Sequence, residues 1–329
     1  MLSSLLCPQT LGVFSSPCAW RLGRFLFGVL VFFWVMGSGI GERWAVQASP
    51  KPRPFHVYEL KHPSEIVPFL LRHKPQAIGF GEYHQLKAFR HIPSSIERFT
   101  RDILPALIRP PKTIPPHLRA FFPKGQTRRF HKPLRDLLVE TWITTGACGK
   151  QEQQVVTQVT KVIQRPKKTR NHILDLMRAA KKAKVLPHVL RIPCQMYEGL
   201  TRQDGELDPT RFIRFVTDRL AHDCVKILAI RHKRREPSSI LLYGGALHND
   251  LEPSKTLAPF SYAARLKGKL HAPLLEVDLY VPEYIAADRD FRKEPWFPEV
   301  LKRKGSNRIV LVHHPPHTYT LVFAWTTPS

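Results

Sequence analysis

Cysteine is scarce in this chain: there are five among 329 residues, and only Cys148, Cys194 and Cys224 follow residue 48. An odd number this small excludes the disulfide-built scaffold of small secreted domains. Cys148 and Cys194 each lie a few residues beyond a predicted strand, so one disulfide between them is compatible with an oxidising compartment. Cys224 falls on the apolar face of a predicted helix, which predicts a buried thiol.

Long hydrophobic runs are also missing. The uncharged apolar stretch 25–36 is shorter than the roughly 20 residues that a membrane-spanning helix needs. Arg21 and Arg24 precede it, and small residues follow it at 45–48. This order of charge, apolar core and small residues is typical of a secretory signal peptide. We therefore predict a signal peptide, or an uncleaved N-terminal anchor, over residues 1–48. The protein would be exported and be periplasmic, envelope-bound or secreted.

Acidic residues are few: 26 Asp plus Glu stand against 51 Lys plus Arg, giving a formal net charge of +25. For an exported protein, such a surface favours peripheral contact with anionic membranes or envelope polymers. The charge does not by itself indicate nucleic-acid binding, because it is non-specific and its clusters are not interleaved with aromatics that could stack on bases. A hydrophobic fraction of 43% is ordinary for a folded globular chain.

Apolar runs alternate with helical patterns along residues 49–329, with no internal repeat and no clear domain break. The alternation predicts a single α/β domain with a mainly parallel sheet flanked by helices. A proline-rich insertion at about 109–133 is predicted to be a surface loop, since prolines at this density exclude helix and central strand. The predicted strands are 76–80, 137–140, 185–190, 239–244, 274–280, 309–312 and 319–323, and the predicted helices are 62–73, 95–104, 151–164, 171–182 and 208–235.

Two short motifs, Gly81-Glu82-Tyr83-His84 and Gly245-Ala246-Leu247-His248, each follow a predicted buried strand. Open α/β sheets bind their ligands outside the carboxyl ends of the strands. Glu82 and His84 are two residues apart and so face the same side of an extended backbone. Glu140 ends another predicted strand. We expect a site at these carboxyl ends, formed by Glu82, His84, Glu140 and His248.

Two carboxylates and two imidazoles allow three kinds of chemistry. His84, Glu140 and His248 could hold a divalent metal such as Zn, Mn or Co. A His base and a Glu partner could perform acid–base catalysis without a metal. The same groups could also fix a ligand without reacting. The further candidate ligands are Tyr83, through its phenolate, and His91, His188 and Arg191. Three histidines within 313–317 are typical of a metal tract or of a hairpin turn.

The segments Gly81–His84, Leu138–Trp142 and Leu242–Asn249 together resemble the ChaN-like haem-binding proteins. These belong to one superfamily with the erythromycin-esterase-like and Tiki-like proteins, and the resemblance spans roughly residues 58–285. It implies an α/β fold and functional positions at Glu82, His84, Glu140 and His248.

The activities in this superfamily differ. The ChaN-like branch implies haem binding and iron uptake, and its relatives imply hydrolysis by a His base or a metal. This chain lacks the lipobox cysteine and has Gln85 where Asp or Asn is usual. We predict that the site binds haem or a metal centre, with a metal-dependent or His-based hydrolase as the alternative. The sequence does not indicate an oligomeric state.

Overall fold

A computed structural model gives the fold. It describes residues 54–85, 87–122, 134–146, 148, 167–203, 206–236 and 238–326, with the backbone alone for 167–170. The described residues contain one eight-stranded sheet. Its strands are β1 (His56–Leu60), β2 (Ala77–Glu82), β3 (Leu134–Thr145), β4 (Leu186–Pro193), β5 (Ser239–Gly245), β6 (Leu274–Tyr280), β7 (Ile309–His314) and β8 (Thr318–Val322).

The strand order across the sheet is β1-β7-β8-β6-β2-β5-β3-β4. Every pairing from β8 to β4 is parallel, whereas β7 pairs antiparallel with both β1 and β8. The predicted α/β class and mainly parallel sheet are therefore confirmed. The strands predicted at 309–312 and 319–323 are present and form an antiparallel pair. The edge strand β1 was not predicted, because its short sequence carries exposed and half-buried residues rather than an apolar run.

Helices cover both faces of the sheet. They are α1 (Ile66–Leu71), α2 (Ser95–Arg98), α3 (Leu104–Ile108), α4 (Lys167–Lys182), α5 (Gln195–Leu200), α6 (Pro209–Lys233), α7 (Ala246–Asn249), α8 (Tyr262–Leu266), α9 (Pro282–Ala287) and α10 (Phe297–Leu301). Successive strand residues point to opposite faces. Accordingly Leu241 and Tyr243 pack in the cluster covered by α1 to α4, while Ile240 and Leu242 pack with α5, α6 and α8.

Local chemistry accounts for the longest helix. Asp208 caps the start of α6 by accepting a hydrogen bond from the backbone N–H of Arg211, and Pro209 occupies the first turn. The helix ends in basic residues, which favour the negative end of its dipole. Its predicted start is confirmed, and Cys224 is buried as expected. Ser94 caps the start of α2, where its hydroxyl accepts a hydrogen bond from the backbone N–H of Glu97.

Other helix and loop bounds in the structure differ from the predicted ones. The helix expected at 62–73 is limited to α1 and a preceding turn, yet it includes Pro68. In the proline-rich stretch, residues Pro116–Phe121 form a 3-10 turn, and residues 123–133 lie outside the described part of the chain. The helix predicted at 151–164 and the signal peptide predicted at 1–48 also lie outside it. Among the described residues, no helix is long and apolar enough to cross a membrane.

A disulfide joins Cys148 to Cys194 across a sequence separation of 46 residues. Cys148 follows β3, and Cys194 directly follows β4, so the bridge ties together the carboxyl ends of two parallel neighbours. The disulfide that the sequence allowed is thus present in the fold.

Candidate functional site

The sheet topology brings the two motifs together. Strands β2 and β5 are parallel neighbours, and their register pairs Glu82 with Gly245. Both strands end at the same edge of the sheet, so the residues that follow them start from adjacent positions. Strand β3 lies on the other side of β5 and carries Glu140 into the same neighbourhood.

Glu82 links two of the side chains in this neighbourhood. One carboxylate oxygen, Oε1, lies 2.9 Å from Nδ1 of His84, and the other, Oε2, accepts a hydrogen bond of 2.9 Å from the hydroxyl of Tyr243. A carboxylate can only accept, so it selects the His84 tautomer with its proton on Nδ1. The lone pair of neutral His84 is then on Nε2. Glu82 and His84 face one another, as their spacing predicted.

Glu140 is placed by a bulge. It was predicted at the end of a strand covering 137–140, and this is wrong: β3 continues to Thr145. Its ladder with β5 ends at Val139, and its register against β4 shifts between Val139 and Trp142. Bulges re-aim side chains. Glu140 at this bulge leaves the ladder and accepts a hydrogen bond of 2.9 Å from the backbone N–H of Gly245.

His248 lies on α7, the short helix after the second motif, rather than in an extended segment. Its Nδ1 is 2.7 Å from the carbonyl oxygen of Phe260. A carbonyl accepts, so Nδ1 carries the proton and Nε2 of the neutral ring presents a lone pair. That nitrogen is 3.6 Å from Oε1 of Glu140.

The surroundings of Glu140 shift its pKa. Burial raises the pKa of Glu140 above its usual range, and the negative charge of Glu82 acts in the same direction. The charge of His248 and the hydrogen bond from Gly245 lower it. Glu140 and His248 are 7% and 2% exposed, so water screens their interaction weakly. The two residues therefore form a buried acid–imidazole pair at the centre of the cluster.

Gly244 and Gly245 provide the space in which the four side chains meet. A Cβ atom on Gly244 would lie 2.2 Å from Oε2 of Glu140, which leaves no room for a side chain. A Cβ atom on Gly245 would lie 3.3 Å from Cδ2 of His248 and 3.4 Å from Nε2 of His84. Gly245 thus stands between the two imidazoles. The structure brings together Glu82, His84, Glu140 and His248.

The other candidate residues lie elsewhere. The hydroxyl of Tyr83 donates to Asp288, and burial followed by the Asp288 charge raises its pKa, which opposes a phenolate ligand. His188, near the amino end of β4, is 2.8 Å from Asp136. His91 is exposed in the turn before α2, and Arg191 is exposed on β4. Neither of these two enters the buried cluster.

The metal prediction requires donors that converge on one point. Within the described ranges, no group of three or more His, Cys, Asp or Glu side chains is placed to hold a metal ion. His84, Glu140 and His248 surround Gly245 but do not form such a group. As arranged, these side chains do not fit a metal centre, and we derive no chemical step through one.

A second imidazole cluster, formed by His73, His313 and His317, lies toward the amino ends of β6 and β8. The ring of His73 is 5.4 Å from that of His317 and 6.4 Å from that of His313. Its Nε2 lies 2.7 Å from the hydroxyl of Tyr319 and 3.3 Å from Nε of Arg72. Burial first, and Arg72 next among the lowering charges, reduce the pKa of His73 and of His313 to about 4. Residues 313–317 form the β7–β8 hairpin, as one reading of this segment predicted.

Sequence reasoning missed three residues that hold the motifs in place. Tyr243 fixes Glu82, and Asn249 donates from its amide to the carbonyl of Gly79. Tyr262 in turn donates to the Asn249 side-chain oxygen. Tyr243 and Asn249 both lie within the segment 242–249, whose polar residues beside a buried strand were the available signal. Nothing in the sequence marks Tyr262, because its contact depends on how α8 packs.

In comparisons with known proteins, no protein-family model, no curated protein and no solved structure matches this chain.

Proposed function

We propose that the cluster of Glu82, His84, Glu140 and His248 is an acid–base centre that hydrolyses an ester or amide. One observation carries the proposal: the chain from Tyr243 through Glu82 to His84 fixes the imidazole tautomer with its lone pair on Nε2. A carboxylate that orients a histidine in this way is the usual support for a general base.

In the reaction, Nε2 of His84 removes a proton from water as the oxygen attacks the carbonyl carbon. The resulting imidazolium is stabilised by Glu82, with which Nδ1 stays hydrogen-bonded. Glu140, whose pKa is raised by burial, lies on the other side of Gly245 and supplies a proton to the leaving oxygen or nitrogen. The proton on His84 then passes to Glu140, which restores the starting state. Gly245 without a side chain leaves room for the substrate carbonyl between the two imidazoles.

The test measures hydrolysis of a panel of p-nitrophenyl esters and p-nitroanilides by the purified protein, with and without a chelator. We expect turnover that survives the chelator and falls by roughly 100-fold to 10,000-fold in His84→Gln, as for loss of a general base. His222→Gln is the matched control, because His222 is exposed on α6. Turnover unchanged in a folded His84→Gln protein would refute the proposal. Turnover abolished by the chelator would refute its metal-free form.

Haem binding is the second candidate, and the exposure of His84 favours it. The side chain of His84 is 12% exposed, against 2% for that of His248. Tyr83 and Ala246, beside the two motifs, are half-buried against an aromatic cluster that includes Tyr280 and Trp296. A histidine whose Nδ1 is held by a carboxylate presents Nε2 to iron. Titration with haemin tests this: a saturable Soret shift that His84→Gln abolishes would support it.

We further propose that the protein belongs to the ChaN-like branch of its superfamily and is exported. The four converging residues are the positions that the resemblance implies. The Cys148–Cys194 disulfide supports export, because such bonds persist in oxidising compartments. Measuring the N-terminal sequence of the protein recovered from the cell envelope and the medium tests export and cleavage near residue 48. Recovery only from the cytoplasm would contradict it.

A further inference from the structure

Two helices end at the amino-terminal edge of the sheet, opposite the edge where the motifs lie. α4 leads into β4 and α6 leads toward β5, so both helices run back across the sheet and finish beside the strand starts. They cover opposite faces of the sheet. Their basic last turns therefore flank the start of β3 and β4 from both sides.

We call this surface the basic edge. Its exposed members are Arg135, Lys181, Lys182, Lys184, Leu186, Ile230, Lys233, Arg234 and Arg235.

Hydrogen bonds hold the basic edge together. Asp136, at the start of β3, accepts two hydrogen bonds from the Arg231 guanidinium at 2.8 and 3.0 Å. Leu186 is the register partner of Asp136 in β4, and Ile230 directly precedes Arg231. Leu186 and Ile230 thus both lie next to residues of one ion pair, that of Asp136 with Arg231.

Among the described residues, the carboxylates beside the basic edge are already paired within it. The Asp136 side chain is 1% exposed and is committed to Arg231 and His188. Glu236 bonds Arg231 at 2.6 Å and lies 3.8 Å from Arg135. These two carboxylates are used within the network, whereas Lys181, Lys182 and Lys184 are exposed on the last turn of α4 and just beyond it. The outward field of this surface is therefore positive.

Apolar side chains are exposed within the same surface. Leu186 is 52% exposed and Ile230 is 41% exposed, and they are two of five large hydrophobic residues that are exposed in the described part of the chain. Cations that surround exposed aliphatic side chains match a bilayer surface, where phosphates attract the cations and the apolar groups enter the interface. A surface for single-stranded nucleic acid would instead need aromatic rings on which bases stack, and the basic edge contains none.

We propose that the basic edge docks on bilayers that contain anionic phospholipid, with Leu186 and Ile230 entering the interface. This inference is independent of the chemistry proposed for the motifs, which lie at the other end of the strands. Docking would leave the Glu82–His84 side of the sheet facing away from the lipid.

The experiment is co-sedimentation of the full chain with phosphatidylcholine vesicles that contain either no or about one-third phosphatidylglycerol. Each cation near an anionic surface strengthens binding roughly fivefold. The triple variant Lys181→Gln, Lys182→Gln and Lys184→Gln is therefore expected to bind the anionic vesicles about 100-fold more weakly. The control triple Lys87→Gln, Lys293→Gln and Lys302→Gln removes the same charge from exposed positions elsewhere. It is expected to bind almost like the parent.

The double variant Leu186→Ser and Ile230→Ser separates a lipid surface from a soluble polyanion. We expect it to weaken vesicle binding and to leave heparin binding unchanged. Equal losses in the two lysine triples would overturn the proposal, because binding would then follow net charge alone. No binding to anionic vesicles, or tight binding to heparin with vesicle binding indifferent to the serine variants, would also overturn it.

Discussion

Acid should destabilise the fold through the second imidazole cluster. The pKa of His73 and of His313 is about 4 in the folded protein, against 6.5 for the unperturbed side chain. A lowered folded-state pKa means that the fold favours the neutral ring. The stability is then fully present above pH 6.5 and is lost as the pH falls from 6.5 toward 4, because the unfolded chain takes up protons that the fold excludes.

The magnitude follows from these two values for one imidazole. At pH 5 the unfolded ring is almost fully protonated and the folded ring is almost fully neutral, which costs about 2 kcal/mol of unfolding free energy. His313 is the better group for the test, since it is only 7% exposed. Its ring stacks on Tyr319 with centroids 4.4 Å apart, and a phenylalanine could keep this stacking without titrating.

The assay is urea unfolding at pH 7 and pH 5 for the parent, His313→Phe and the exposed-surface control His222→Gln. We expect the parent to lose more stability between the two pH values than His313→Phe does, by about 2 kcal/mol. The control should match the parent. An identical pH dependence in the parent and His313→Phe would refute the reasoning and would show that this imidazole titrates normally.

The remaining predictions concern the motif cluster and the disulfide. Gly244→Ala should lower the unfolding free energy by about 1–3 kcal/mol in a urea titration, because the added Cβ meets the Glu140 carboxylate. Gly245→Ala should keep the parent's melting temperature but lose hydrolytic turnover, because the added Cβ lies between the two imidazoles. Glu140→Gln should lower kcat and abolish the fall of kcat on the alkaline side, since in the parent raising the pH deprotonates Glu140, whose pKa is raised by burial. A parent-like pH profile in this variant would contradict that role. Replacing Cys148 and Cys194 by Ser should cost up to about 4 kcal/mol by thermal unfolding, on the loop-entropy estimate for a separation of 46 residues.

The sequence predicted the central strands well because their apolar runs are buried on both faces. Residues 274–280 form β6 within the predicted bounds, and 239–244 misses only the last residue of β5. Strand β3 extends well beyond the expected 137–140. Its continuation past Glu140 pairs only with β4 and is half-buried from Ile143 onward. Such half-covered segments lack the continuous apolar run on which the prediction depended.

The candidate site could be predicted only in part. The two motifs and Glu140 were visible as polar residues after apolar runs, but their convergence depends on β2 and β5 being neighbours with β3 next in order. Strand order is a long-range property that local patterns do not encode. The roles of Tyr243 and of the Phe260 carbonyl also depend on packing across the chain. Conversely, His188 fitted the pattern of a candidate ligand, but it contacts Asp136. This contact depends on the register of β4 against β3, which the local sequence does not encode.

The disulfide has a consequence for the covalent connectivity of the chain. Residues 148–194 form a closed ring, from which the rest of the chain leaves as two tails. One peptide bond cut anywhere inside the ring leaves a single molecule that still joins β3, with Glu140, to β4. A cut outside the ring divides the protein into two molecules. A protease acting on residues 149–166 would therefore nick the protein without dividing it, and only subsequent reduction would release the fragments.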